Sequence, residues 1–240
     1  MTDSSQLEYR TTELDPGLLS TPFEVETKWH VITGAACCGK TTLIDLLAEK
    51  GSRTVAETAR EYFDREMAAG RTLAEICEDM GAVELCIHDL QLRAEGATRP
   101  DEVAFLDRAL PDCLSFARIF GMNPDDLLPD CLVRRYASVL LLDRLPLQRD
   151  TPLGPEDEAS AAFLDEWLVR DYSALGYRVV RVPVLSPQER LAFVLERLFE
   201  GGLNQALDGV DRPPASDSAR SNSELGVRPA SQTATSRERG

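Results

Sequence analysis

The sequence predicts an α/β fold: a five-stranded, mainly parallel sheet layered between helices. Three observations predict it. Short apolar runs alternate with stretches of helical periodicity from residue 27 to about 203, the pattern of strand, crossover helix and parallel strand. One of these runs, Ser138-Val139-Leu140-Leu141-Leu142, is continuously apolar, as a parallel strand covered on both faces must be. Between the first strand and the first helix lies Gly34-Ala35-Ala36-Cys37-Cys38-Gly39-Lys40-Thr41, which reads G-x-x-x-x-G-K-T, and that motif requires a strand before it and a helix after it.

Residues 1–26 are polar and irregular, with a turn at Asp15-Pro16-Gly17, and read as an N-terminal arm. Residues 28–33 form the first strand. Residues 42–50 carry Leu43, Leu46 and Leu47 at helical spacing, and Gly51 stops them. A second strand follows at 53–57, then helices at 59–67 and 72–93, interrupted near Gly70 and at Gly81. The third strand, 102–107, comes after Arg99-Pro100-Asp101. A helix over 114–120 ends at Gly121, Asn123 caps a short one that opens with Pro124, and Pro129 starts another turn reaching about Arg135. After the strand at 138–142, residues 143–157 contain Pro146, Pro152, Gly154 and Pro155 and form a loop. A helix over 159–175 and a fifth strand at 177–182 follow. Ser186-Pro187-Gln188-Glu189 has the form of a capping box, and its helix presents Leu191, Val194, Leu195 and Leu198 on one face. From about residue 204 the chain is rich in Ser, Pro, Arg, Asp and Ala, so 204–240 is expected to be a disordered C-terminal tail.

The glycine loop carries the chemistry. Its N–H groups and those of the first helical turn point inward, the helix dipole favours anions, and glycines let the backbone approach phosphates closely. Residues Gly34 to Thr42 therefore form the expected nucleotide cradle, with Lys40 on the β- and γ-phosphates and Thr41 on Mg²⁺. Asp107 ends an apolar strand, where a carboxylate can hold the metal or its water, and Arg108 beside it suits a transferring phosphate. Glu57 and Arg60 follow the second strand, at the same edge of the sheet; Glu57 can take the proton of an acceptor hydroxyl, or simply favour a helix start. Arg144 and Arg149 lie in the loop that a lid would occupy. Cys37 and Cys38 are unusual occupants of the cradle, contributing backbone N–H groups and offering thiols to oxidation.

A formal net charge of −15 with pI near 4.6 argues against a general nucleic-acid or anionic-membrane binder. No run approaches the roughly 18 apolar residues of a membrane span, and residues 1–8 lack the pattern of a signal peptide. The six cysteines lack C-x-x-C spacing, and His30 and His88 stand apart. Reduced thiols, a cytoplasmic location and no structural zinc site are expected.

The cradle, together with Val55-Ala56-Glu57-Thr58-Ala59-Arg60-Glu61-Tyr62 and Phe105-Leu106-Asp107-Arg108-Ala109-Leu110-Pro111-Asp112, resembles the NadR-type AAA domain family of P-loop proteins. The loop near Pro146 and Asp150, and Val182-Pro183-Val184-Leu185-Ser186, belong to the same resemblance, which covers about residues 27–200. It implies a three-layer P-loop NTPase fold with kinase-like strand order, the Asp107 strand beside the cradle strand, and binding of ATP (or GTP) with Mg²⁺. It also implies phosphorylation of a small hydroxylated acceptor, nucleoside-like or otherwise. Two departures stand out: the cysteines at 37 and 38, and the lack of an arginine in Thr151-Pro152-Leu153-Gly154. The alternatives are an ATPase or nucleotide switch acting on a protein partner, conceivably through the tail, and a nucleotide-binding module without turnover.

Overall fold

The sheet is built from strands whose residues face apolar layers on both sides, and every residue of its central strand, Trp29–Thr33, is buried. The computed structural model describes residues 11–145 and 158–200 of the 240-residue chain. In chain order these form α1 (Pro16–Leu19), β1 (Val25–Glu26), β2 (Trp29–Thr33), α2 (Lys40–Glu49), β3 (Arg53–Val55), α3 (Thr58–Ala68), α4 (Leu73–Ile76) and α5 (Met80–Gly96). There follow β4 (Ala104–Asp107), α6 (Leu110–Ile119), α7 (Leu128–Cys131), β5 (Arg134–Arg135), β6 (Ser138–Leu142), α8 (Glu158–Ala174), β7 (Val179–Val182) and α9 (Pro187–Glu200).

The five-stranded sheet runs in the order β3-β4-β2-β6-β7, and all neighbours are parallel. The expected fold class is thus observed, with β4 directly beside β2 in the register Ile32↔Asp107. Parallel pairing puts the C-terminal ends of all five strands on one edge, so the segments after Thr33, Val55, Asp107 and Leu142 converge there. Alternation along the strands divides the core in two. Val31, Leu106 and Leu141 face α6 and α8 through Leu110, Leu114, Leu164 and Leu168. Ile32, Phe105, Leu140 and Leu142 face α2 and α9 through Leu43, Leu47, Val194 and Leu195.

Several local signals act as read. Ser186 Oγ accepts from the Glu189 N–H at 3.4 Å while Glu189 Oε2 accepts from the Ser186 N–H at 2.9 Å, closing the capping box at the start of α9. Asn123 Oδ1 accepts from the Asp125 N–H at 3.2 Å and starts a single 3₁₀ turn.

Other elements differ. Helix α6 begins at Leu110 rather than 114, because Pro111 fits a first turn and Asp112 Oδ2 accepts the Ala109 N–H at 3.3 Å. The long helix after Gly70 breaks at a 3₁₀ turn over Cys77–Asp79 instead of at Gly81, since Asp79 Oδ1 caps the Ala82 N–H at 2.9 Å and starts α5 there. The turn at Asp15 is a short helix whose Leu18 N–H donates to Asp15 Oδ1 at 2.9 Å. β1 and β5 form a two-residue parallel pair with no period long enough to read from sequence. The loop positions 146–157, with Arg149, and the tail 204–240 lie outside the described residues.

Candidate functional site

The cradle is shaped by backbone conformations that side chains resist. Gly34 has φ +142°, and a Cβ on it would sit 2.9 Å from both the Leu142 carbonyl oxygen and Cys38 Sγ. Gly39, at φ +91°, is the residue from which α2 departs. Cys37 also takes a left-handed conformation, φ +55°, which costs a non-glycine residue energy and marks the loop as held by its surroundings. Lys40 is 6% exposed, and its Nζ donates to the carbonyls of Gly34 (3.2 Å) and Ala35 (3.0 Å), with Cys38 Sγ at 3.8 Å.

An unanticipated residue braces this loop from α9. Arg190 is buried, and its guanidinium donates to the carbonyls of Cys38, Asp143 (3.1 Å) and Pro183 (3.0 Å). One side chain thus ties the cradle to the segments leaving β6 and β7. The sequence does carry a signal for it: Arg190 shares the apolar face of α9 with Leu191, Val194 and Leu198, where a charge is out of place unless it has buried work.

Beside the cradle, four charged groups from three segments meet. Arg108 Nε donates to Glu57 Oε1 at 2.8 Å and its Nη1 to Asp112 Oδ1 at 3.0 Å, while the guanidinium lies over the Phe116 ring, 5.0 Å from its centroid. Arg108 itself is left-handed at φ +70°, a turn secured by its N–H donating to the Ile32 carbonyl at 3.0 Å. Burial works against its charge, but Glu57 and Asp112 more than offset that and hold it protonated. Burial likewise works against an ionised Glu57, yet the charges of Arg108 and Lys40 prevail and hold its carboxyl below its ordinary value. Asp107 is 3% exposed, and its Oδ1 has no hydrogen-bond partner among the described residues. Burial pushes its pKa up to about 6, opposed by Lys40 and reinforced by Glu57.

Asp112, also missed as a site residue, is the node that orients this group. Its Oδ1 accepts from Thr33 Oγ1 at 2.5 Å as well as from Arg108, and its Oδ2 accepts from Tyr172 Oη at 2.6 Å. It therefore links the end of β2, the turn after β4 and helix α8.

Two hollows flank the assembly. One, next to Arg108, is walled by Thr58, Glu84, Ile87, Cys113 and Phe116. The other, about 230 Å³, lies against Gly39 and Thr42 and is walled chiefly by Leu145, Leu185 and Pro187. The structure therefore gathers Gly34 through Lys40, Glu57, Asp107 and Arg108 at one edge of the sheet. Thr41 is half-buried in the first turn of α2, and Thr42 is exposed. Arg60 is exposed and Arg144 half-buried. Among the described residues no helix is long and apolar enough to cross a membrane.

Known proteins share this fold. The sequence model of a family described as "AAA domain" matches residues 29–190, more than half of the chain. Among solved structures, a NadR protein in complex with NR superposes with TM-score 0.58 at 20% identity, covering 79% of this chain and 53% of that one. A NadR protein in complex with NAD and AMP-PNP gives TM-score 0.56 at 22% identity, covering 79% and 52%. A deoxyadenosine kinase from M. mycoides, with products dCMP and dCDP bound, gives 0.50 at 14% identity, covering 72% of this chain and 99% of that one. The chain thus spans about half the length of the NadR structures it matches. At these identities the likeness establishes the fold, that of P-loop kinases. A search of curated proteins finds no sequence match.

Proposed function

From the premise that the chain belongs to this AAA-domain family, we propose that it is an Mg-ATP-dependent kinase that transfers the γ-phosphoryl group to a small nucleoside-like or other hydroxylated acceptor. The observation that carries this reading is the junction of two chemistries at one sheet edge. A phosphate cradle with Lys40 lies beside an acid and arginine cluster, Glu57, Arg108 and Asp107, and that cluster opens onto a hollow of its own. A nucleotide switch needs the cradle; it has no need of a second charged group facing a second hollow.

The residues present fit the ligands. Among the described residues, Nζ of Lys40 is bonded to loop carbonyls and the Cys38 sulfur, contacts it can exchange for phosphate oxygens. The buried, unpartnered Oδ1 of Asp107 and the hydroxyl of Thr41 are the oxygen donors a hard cation takes, and Mg²⁺ characteristically uses one or two such side chains together with phosphates. Bound there, Mg²⁺ would neutralise charge on the phosphate oxygens. The apolar hollow between Leu145, Leu185 and Pro187 suits the flat face of the nucleotide base, ATP or GTP alike. Glu57, kept ionised by Arg108, accepts the proton of the acceptor hydroxyl, while Arg108 faces the charge developing on the transferring group. In this reading the catalytic unit is residues 27–203, flanked by the arm 1–26 and the tail 204–240, and it works in the cytoplasm.

Labelled ATP incubated with a panel of nucleosides and vitamin-like alcohols tests the reading. Label transfer to an acceptor, abolished in Lys40→Ala, is expected. Hydrolysis that no acceptor stimulates would favour the switch, and nucleotide binding without turnover would leave only a binding module.

A further inference from the structure

The region matched by the family begins at residue 29, yet the arm ahead of it is packed into the domain. Leu14 is 4% exposed and belongs to the same apolar core as Leu114 and Leu128, and Leu18, Leu19 and Phe23 pack against that core. The polar anchor is Arg118, fully buried in the last turn of α6. Its Nη1 donates to Asp171 Oδ2 at 2.8 Å and to the Leu114 carbonyl at 3.0 Å, and the guanidinium lies over the Trp167 ring, 4.2 Å from its centroid. Two further donors turn to the arm: Nε and Nη2 both donate to the Thr12 carbonyl, at 3.2 and 3.0 Å. At the rim the Asp15 N–H donates to Asp125 Oδ1 at 2.9 Å, and Glu13 lies 3.7 Å from Arg170.

The arm thus supplies the acceptor for two donors of an arginine that is otherwise held by α6 and α8. That ion pair is one of two polar rivets between these helices. Ser115 Oγ also donates to Asp171 Oδ2 at 2.8 Å, and the next residue of α8, Tyr172, donates to Asp112 Oδ2 at 2.6 Å. Asp112, Ser115 and Arg118 recur at every third residue of α6, a spacing that puts successive members side by side. The first of them holds Arg108 of the candidate site and the last holds the arm. Water admitted to Arg118 and Asp171 would weaken their attraction, and the docked arm keeps it out. Only one fully buried apolar side chain and a few hydrogen bonds oppose the entropy of ordering the segment, so docking is readily reversed.

We propose that the arm is a strap that sets the activity of the site from outside the family region. Docked through Leu14 and Thr12, it keeps the seam between α6 and α8 shut and Asp112 in place against Arg108. Released, it lets the seam loosen and lowers turnover while leaving the nucleotide cradle, on α2 and the loop before it, as it was. The part of this inference that concerns phosphoryl transfer rests on the kinase reading; the part that concerns the seam does not.

The test compares the full-length chain with Leu14→Asp, which puts a charge on the arm's apolar anchor, and with the milder Leu14→Ala. Hydrogen exchange reads the seam, labelled ATP reads kcat and the KM for ATP, and a synthetic peptide of residues 10–24 is added back. Expected in Leu14→Asp are faster exchange of the α6 and α8 amides, a kcat lower by roughly two- to thirty-fold, and an unchanged KM for ATP, with Leu14→Ala between. The native peptide should restore kcat and the peptide carrying Leu14→Asp should not, a sequence-dependent rescue that a general loss of stability would not show. Faster exchange confined to the arm with kcat intact, a KM for ATP that rises as kcat falls, or no rescue by the native peptide would overturn the strap. If Leu14→Asp does not fold, Leu14→Ala decides on the same readings. Hydrolysis of ATP without transfer to any acceptor in the unaltered chain would overturn the kinase reading instead. The strap then stands or falls on whether the native peptide restores protection of α6 and α8 in the variant.

Discussion

The two halves of the candidate site are held by different forces. The cradle from Gly34 to Lys40 is a run of consecutive residues whose shape comes from the backbone, with positive φ at Gly34, Cys37 and Gly39 and a lysine bonded to its own loop. The acid and arginine cluster is assembled from side chains 51 and 4 positions from Arg108, and each member depends on the charge of another. Damage should therefore differ in kind. Changes in the cradle act on nucleotide chemistry and spare the fold, while changes in the cluster act on both, because a broken charge match leaves a buried acid behind.

The largest effect is expected from Lys40→Ala. Loss of a preorganised positive group at the phosphates should lower turnover roughly 10³-fold, with the circular dichroism spectrum and the urea midpoint nearly unchanged. Arg108→Met should do the opposite in one respect: besides abolishing transfer, it should cost about 3–5 kcal/mol of stability in urea, because Glu57 and Asp112 lose their counter-charge. If the lysine variant unfolds as readily as the arginine variant, the distinction between the halves fails.

Glu84 sharpens the comparison through pH. Its carboxyl sits near 7 in the folded chain against an ordinary 4.5, so the folded state holds the proton more tightly. The stability this confers is fully present below about 4.5 and is lost as pH rises through about 7. Glu84→Leu removes the dependence. Relative to the unaltered chain it should gain on the order of 3 kcal/mol between pH 4 and pH 8 in urea titrations. An unchanged difference across that range would mean that Glu84 is solvated.

Arg190→Met tests the brace. Three carbonyls, on Cys38, Asp143 and Pro183, would lose a charged donor, which should cost about 2 kcal/mol. The KM for ATP should rise several-fold while the acceptor KM holds. A rise in both would show that Arg190 serves the whole edge and not the cradle alone.

The same contrast explains what could be read from the sequence. The cradle was legible because its shape is written in adjacent residues, and β2, β4 and β6 because buried parallel strands are continuous apolar runs. Asp107, Arg108 and Glu57 were legible as strand-end charges, but their pairing was not, since it follows from strand order. Arg190 lies 152 positions from the loop it braces. Glu84 was hidden for a related reason: polar residues on a helix read as a solvated face until the packing of α5 buries them. Helix α6 starts ahead of the 114–120 stretch because the Asp112 carboxylate caps its first turn.

The smallest effect reaches farthest from the chemistry. Tyr172 on α8 is fully buried and donates to Asp112 Oδ2 at 2.6 Å, the same carboxylate whose other oxygen holds Arg108 and Thr33. Tyr172→Phe removes that one donor and no ring. Oδ2 retains the Ala109 N–H at 3.3 Å, so the loss should be about 1 kcal/mol in urea. If Asp112 is the node that aims Arg108, the variant should also lower kcat by a few-fold with the ATP KM unchanged, because a looser carboxylate lets the guanidinium wander. A loss of stability with kcat intact would confine Asp112 to capping α6 and leave Glu57 alone to orient the arginine.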